Sequence, residues 1–150
     1  MSELNNIDIP LHTLYVRRDV IPNIDLDRWA HSESIIINND AHVTIAYSTT
    51  PVDWTTINRK TVGEFDLEFA TYYVSGDFGK NLMVFELNQD NKILHSRWKY
   101  FIEGVGASWD FPNYRPHITL CNRNGKDISK IKPYAGIIRL GPEIIKEVKK

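Results

Sequence analysis

Alternation of apolar and polar residues, with the two-residue period of a β-strand, dominates the pattern along the chain. Segment 13–20 sets Leu14 and Val16 against Tyr15 and Arg17 in this way. Apolar or aromatic runs of similar character predict further strands at residues 35–37, 42–48, 64–73, 81–87 and 114–122. Pro116 is expected near the start of the last of these strands, where its missing N–H is tolerated.

One segment instead follows the period of an α-helix. Between residues 92 and 105 the apolar residues return every three or four positions, and Gly104 and Gly106 predict where the helix ends. Pro51 predicts a short helical start after the strand at 42–48, and Gly141-Pro142 predicts a turn between two short strands within 135–148. No linker divides the chain, so we predict a single α+β domain over residues 1–150, with antiparallel sheets and more strands than helices.

Composition and charge narrow the class of protein. The chain carries 18 basic and 19 acidic residues for a formal net charge of −1. That balance disfavours a nucleic-acid coat or a polybasic membrane binder, which need a surplus of Lys and Arg. Cys121 is the only cysteine, which excludes an intrachain disulfide and a cysteine-based zinc site. Without a signal-peptide pattern after Met1 or an apolar run of about 20 residues, we expect a cytoplasmic protein with no membrane partner.

Two tetrapeptides of the form His-apolar-Thr-apolar lie within predicted strands. They are His42-Val43-Thr44-Ile45 and His117-Ile118-Thr119-Leu120. Because residues i and i+2 of a strand point to the same side, each histidine projects together with its threonine, while the apolar residues anchor the strand in the core. The same alternation predicts that Tyr47 shares the buried face of Val43. Two such strands side by side bring two imidazoles and two hydroxyls to one cleft.

This set of side chains suits the cleavage of a phosphodiester. The reaction needs a base for the attacking oxygen and an acid for the leaving oxygen, and histidine can serve as either near neutral pH. Threonine hydroxyls can donate to the non-bridging oxygens, and neither motif contains the carboxylates of a usual metal site. A single histidine on a strand is more often structural, and we interpret three others in that way because none lies in a recurring pattern: His12, His31 and His95.

With these two motifs, the chain resembles the two-histidine (2H) phosphoesterase superfamily. That resemblance implies a two-lobed, pseudo-symmetric α+β fold, with antiparallel sheets around a central cleft and flanking helices. Residues 15–19, 42–48, 51–54 and 115–120 also resemble the phage anti-CBASS phosphodiesterases, and the likeness runs over about residues 15–143. Those enzymes act without a metal or other cofactor on 3′–5′ linkages of cyclic di- and trinucleotide messengers. The resemblance therefore implies these ligands, and the host cytoplasm as the place of action.

The resemblance also implies roles for individual residues. His42 and His117 are expected to form the general acid–base pair. Thr44 and Thr119 are expected to bind the scissile phosphate. Substrate contacts are expected from three further residues: Tyr15 and Phe78, which stack on bases, and Glu143, which helps to close a lid. Tyr73 is the rival of Phe78 for its role.

For several neighbouring residues the sequence predicts no specific role in the reaction. Arg17 shares the strand face of Tyr15, so a phosphate contact and a solvated side chain are both open. Arg18 points to the opposite face and is expected to be a surface charge. Tyr114 and Arg115 lie beside the second motif and could line the cleft. The four tryptophans are interpreted as packing residues: Trp29, Trp54, Trp98 and Trp109.

Two alternatives to a cyclic oligonucleotide phosphodiesterase stay open. One is an enzyme of the same superfamily that acts on 2′,3′-cyclic phosphate ends or 2′–5′ linkages of RNA, although the near-neutral charge disfavours long nucleic acid. The other is a sponge that binds cyclic nucleotides without cleaving them. The sequence implies no protein partner. It also does not tell which histidine is the acid and which the base, or whether water or a ribose 2′-hydroxyl attacks.

Overall fold

The computed structural model describes residues 10–79, 81–88 and 91–149, and nine strands account for most of its regular structure. In chain order these are β1 (Leu11–Val20), β2 (His42–Asp53), β3 (Phe65–Asp66), β4 (Ala70–Tyr72), β5 (Val74–Ser75), β6 (Leu82–Glu86), β7 (His117–Asn122), β8 (Tyr134–Gly136) and β9 (Arg139–Lys146). Seven strands form one sheet in the order β3-β9-β1-β2-β7-β6-β5, and β4 pairs with β8. Every pairing is antiparallel, so the predicted α+β class and antiparallel sheets are confirmed.

Two α-helices accompany the sheet. Helix α1 (Ile24–Ser32) begins at Asn23, whose side chain accepts from the backbone N–H of Asp25. Helix α2 (Lys92–Lys99) continues into a π-helical segment, Tyr100–Val105, and ends at Gly106, whose φ of 85° favours glycine. The helix predicted at 92–105 is thus confirmed, whereas the short α1 lay in no predicted element. Among the described residues, no helix has the length and apolar run needed to cross a bilayer.

The order of elements is repeated in the two halves of the sheet. β1, α1 and β2 form one strand–helix–strand unit, and β6, α2 and β7 form the other. In each unit the two strands are antiparallel neighbours, and the second strands, β2 and β7, pair with each other at the centre of the sheet. This is the two-lobed arrangement that the sequence predicts, and it places a histidine motif at the first residue of each central strand.

Irregular pairing with β1 explains two differences from the sequence-based prediction. Both Pro51 and Gly141-Pro142 lie inside long strands, β2 and β9, where the register with β1 shifts. Such bulges tolerate a residue without an N–H, so Gly141-Pro142 forms no turn between two strands. The helical start predicted after Pro51 is a 3₁₀ turn at Trp54–Thr56, which follows β2 directly. Residues 35–37 form no strand, and Ile36 is 87% exposed.

A third shift lies within β2, next to the first histidine motif. Val16 pairs with Ala46 while Arg17 pairs with Thr44, so Ile45 is the extra residue of a bulge. After this bulge the alternation is reversed: Ala46 is buried and Tyr47 is exposed. The prediction that Tyr47 shares the buried face of Val43 is therefore wrong.

Arg18 is fully buried in the core, so its predicted place as a surface charge is also wrong. Its guanidinium donates to the carbonyl oxygens of Val62, Gly63 and Gly141 at 2.7–2.8 Å. Three backbone acceptors thus replace water around the buried charge. The side chain ties the loop before β3 to the irregular part of β9.

Candidate functional site

The two histidine motifs meet across the central pair of strands. Val43 of β2 lies opposite Ile118 of β7, and both side chains are buried. In this antiparallel register His42 faces Thr119 and Thr44 faces His117, and these side chains point away from the buried pair. The two histidines are therefore diagonal neighbours, with their Cα atoms about 7–8 Å apart. The structure brings together all four residues of the predicted catalytic set.

Both imidazoles are oriented by the same kind of hydrogen bond. Nδ1 of His42 lies 2.6 Å from the carbonyl oxygen of Asp40, and Nδ1 of His117 lies 2.8 Å from that of Arg115. A carbonyl oxygen only accepts, so Nδ1 carries the hydrogen in each ring. Each neutral ring therefore carries its lone pair on Nε2.

Aromatic and charged side chains surround His117. The ring of Phe78 lies 4.2 Å from its ring, centroid to centroid, and the guanidinium carbon of Arg115 lies 4.4 Å from the Phe78 centroid. Arg115 in turn donates two hydrogen bonds to the carboxylate of Glu86. Burial lowers the pKa of His117, and the charges of Arg115 and His42 act in the same direction, while the Arg115 carbonyl and Glu86 oppose them.

Tyr15 is the direct neighbour of His42. Its hydroxyl lies 2.6 Å from Nε2 of His42, and its ring is edge-on to that of Tyr47 at 5.5 Å. Arg17 lies beside the Tyr15 ring, 5.8 Å from its centroid, and pairs with Asp19 at 3.1 Å. Tyr15 and Arg17 thus lie on the face that carries the histidines, as the alternation in β1 predicts.

A cavity of about 510 Å³ opens beside His117 and Thr44. Aromatic side chains form much of its wall, including Phe78, Tyr47, Trp109, Phe111 and Tyr114. Tyr114 also fixes the first motif, because its hydroxyl donates to the carbonyl of Thr44 at 2.7 Å. Burial raises the pKa of this tyrosine, which keeps the hydroxyl a donor.

Two residues of this wall, Tyr47 and Trp109, do not follow from the sequence pattern. Tyr47 was assigned to the wrong face because of the bulge at Ile45, and Trp109 was interpreted as a packing residue. The signal that could have found Trp109 is the aromatic stretch 109–114 directly before the second motif, which also holds Phe111. Among the predicted stacking residues, Phe78 lines the cavity, whereas its rival Tyr73 is 69% exposed and lies outside the lining.

The structure places Glu143 away from the cleft, contrary to its expected role in a lid. It lies in β9 opposite Arg18, on the face of the sheet that turns away from the histidines. Its carboxylate is 4% exposed and accepts two hydrogen bonds from Arg97, at 2.7 and 2.9 Å. A carboxylate enclosed in this way cannot contact a ligand at the cleft, so the structure does not support the predicted lid role.

No group of three or more His, Cys, Asp and Glu side chains suited to a metal ion occurs among residues 10–79, 81–88 and 91–149.

Comparison with known proteins relates this geometry to two groups. The fold is similar to that of Escherichia coli LigT in a crystal structure with 3′-AMP, with a TM-score of 0.57 and 14% identity, over 93% of this chain and 97% of that one. This is the 2H phosphoesterase fold that the two motifs predict.

Sequence relatives lead to a narrower group. The chain is 31% identical over 147 residues to an anti-CBASS protein Acb1 from Caulobacter sp. (strain RHG1), and 30% identical over 147 residues to one from Sphingomonas paeninsulae. Each match covers 90% of this chain but only 22% and 23% of the relative, so the chain spans about a fifth of their length. The family profile described as anti-CBASS protein Acb1 matches residues 12–150, and with nearly the whole chain covered, this protein belongs to the Acb1 anti-CBASS family.

Proposed function

We propose that this protein is a metal-independent phosphodiesterase that hydrolyses the 3′–5′ linkages of cyclic di- and trinucleotide messengers. In this proposal a phage uses it in the host cytoplasm to remove the signals of CBASS immunity. The observation that carries the proposal is the pairing of β2 with β7, which sets His42 and His117 side by side with both Nδ1 atoms anchored to carbonyls.

The chemistry follows from where these groups stand. One histidine takes the proton of the attacking oxygen through Nε2, and the other gives a proton to the departing 5′-oxygen. A new bond forms from the attacking oxygen to phosphorus while the bond from phosphorus to the 5′-oxygen breaks. If the attacking oxygen is the ribose 2′-hydroxyl, the product is a 2′,3′-cyclic phosphate, which water can open in a second pass. Thr44 and Thr119 donate to the non-bridging oxygens as charge builds on them.

The cavity supports a small nucleotide as the ligand. Its aromatic wall reaches from Thr44 and His117 to Trp109 and Phe111. Stacking of a base on such side chains contributes about 1–3 kcal/mol and does not depend on which base it is. The LigT structure holds 3′-AMP, which shows that a protein of this fold takes a nucleotide. These points favour a site that accepts several cyclic nucleotides.

The test is incubation of the purified protein with a mixture of cyclic di- and trinucleotides in EDTA, with the products identified by mass. His42→Ala and His117→Ala should each lower kcat by about 10²–10⁴-fold, because each removes one proton-transfer group. His31→Ala is the matched control, since His31 is an exposed residue of α1. Circular dichroism verifies that all variants are folded. Near wild-type rates in both active-site variants would refute the proposal.

The same experiment separates the competing functions. An RNA-end enzyme would leave the cyclic messengers intact and open 2′,3′-cyclic phosphates or 2′–5′ linkages supplied in parallel. A sponge would protect the messenger from added nuclease and then return it unchanged after the protein is denatured by heat.

A further inference from the structure

The two histidines differ at the nitrogen that the reaction needs. Nε2 of His117 has no hydrogen-bond partner among the described residues, and its ring lines the cavity. Nε2 of His42 is occupied by the hydroxyl of Tyr15 at 2.6 Å. The pseudo-symmetric halves of the fold therefore hold one open and one covered imidazole.

The direction of the covering bond follows from the other side of the ring. Nδ1 of His42 donates to the carbonyl of Asp40, so in the neutral ring Nε2 carries only a lone pair. The hydroxyl of Tyr15 must then donate to it. A ring nitrogen has a single lone pair, so His42 cannot exchange a proton with a substrate oxygen while this bond is in place.

The Tyr15 backbone is fixed, which limits any exchange to its side chain. In β1 it pairs with Tyr47 on one side and with Lys146 of β9 on the other. The ring meets the rings of His42 and Tyr47 edge-on, and its face is approached by the Arg17 guanidinium, whose central carbon lies 5.8 Å from the ring centroid. Rotation of the side chain can therefore release Nε2 without disturbing the sheet.

We propose that the Tyr15 hydroxyl caps His42 in the free protein and occupies the position that a reacting phosphodiester oxygen takes in the complex. The ligand must displace the hydroxyl, which then leaves the phenol ring free to contact a base. This inference rests on the proposed function for its substrate. It gives the Tyr15 hydroxyl a role of its own, competition with the substrate for Nε2 of His42, which is separate from stacking of the Tyr15 ring on a base.

Replacing Tyr15 with phenylalanine isolates the hydroxyl, because the ring is kept. In a His117→Ala background, which suppresses turnover, the Kd for 3′,3′-cyclic GMP–AMP is measured by calorimetry with Tyr15 and with Tyr15→Phe. Losing the cap should tighten binding by about 2- to 10-fold, the equivalent of one net hydrogen bond. With His117 present, Tyr15→Phe should lower KM by the same factor. Tyr73→Phe is the matched control, since Tyr73 is exposed and lies outside the cavity lining.

Three results would overturn the cap. A fall in kcat as large as that of His42→Ala would make Tyr15 a proton relay, and weaker binding would make its hydroxyl a ligand contact. Unchanged KM and Kd would show that the bond does not compete with the ligand. The hydrogen bond to Tyr15 can also be detected without substrate, from the ¹⁵N chemical shifts of His42 in the free protein. These shifts must show a protonated Nδ1 and an Nε2 that accepts a hydrogen bond, and the Nε2 shift must change in Tyr15→Phe. If that signature is present but no cyclic nucleotide is bound or cleaved, the proposed function fails while the capped histidine stands.

Discussion

Replacing Glu143 with leucine tests whether this residue acts on the fold or on the ligand. The resemblance to the anti-CBASS phosphodiesterases implies a lid role for it, whereas the structure encloses it with Arg97 on the face of the sheet away from the histidines. The variant leaves the Arg97 guanidinium, whose side chain is only 15% exposed, without its carboxylate. The expected defect is therefore in stability and not in affinity.

The size of the defect follows from the contacts that remain. Breaking a buried ion pair by removing one partner costs about 3–5 kcal/mol. Arg97 keeps a hydrogen bond to the carbonyl of Asn58 at 3.1 Å and lies 4.7 Å from the ring of Tyr100, so the lower figure applies. A loss of about 3 kcal/mol lowers Tm by about 6–12 °C in a protein of this size. The double variant Arg97→Met/Glu143→Leu should recover part of this loss, because it removes the Arg97 charge that the single variant leaves without its carboxylate.

Urea unfolding gives the free energy of unfolding for the two single variants and the double variant, which together form a mutant cycle with the wild type. KM for a cyclic dinucleotide is measured well below the Tm of each variant and should stay within about twofold of wild type. A Glu143→Leu protein of unchanged stability with a KM raised tenfold or more would refute the reasoning and restore the lid.

Three further outcomes are expected. Burial lowers the folded-state pKa of His117 below its ordinary 6.5, so the unfolded chain binds the proton more readily. The free energy of unfolding should therefore fall as the pH drops below 6.5. His117→Gln should flatten this pH dependence, measured by urea unfolding at about pH 5–7. Arg18→Met leaves the carbonyls of Val62, Gly63 and Gly141 without their donor and should cost about 3–5 kcal/mol in the same assay. EDTA should leave turnover unchanged in a mass-detected assay, and loss of activity that added Zn²⁺ or Mn²⁺ restores would contradict proton transfer by the imidazoles alone.

The parts of the site that the sequence predicts are those that depend on local alternation. His42 and Thr44 share a face because they are two residues apart in a regular stretch, and the same holds for His117 and Thr119. Tyr47 was misplaced because one extra residue, Ile45, reverses the alternation beyond it. A bulge depends on the pairing with the neighbouring strand, which the local pattern does not contain.

Arg18 and Glu143 were misplaced for a different reason. The charge of Arg18 predicts exposure, and the resemblance to a known family implies a lid role for Glu143. Their burial is possible only because distant groups satisfy them: carbonyls up to 123 residues away for Arg18, and the guanidinium of Arg97 for Glu143. Such partners come together only in the tertiary structure, so a local stretch of sequence does not predict them.

The junction between the two lobes gives the centre of the molecule a particular vulnerability. Within the described residues, β2 and β7 are matched at a single position, Val43 against Ile118, and both side chains are enclosed in the interior. The relative position of the two histidines thus depends on a strand pairing that is packed around two buried aliphatic side chains. Trimming or enlarging either one by a methyl group should shift the two imidazoles relative to each other, so the rate of the proposed reaction should depend on interior packing as well as on the polar side chains.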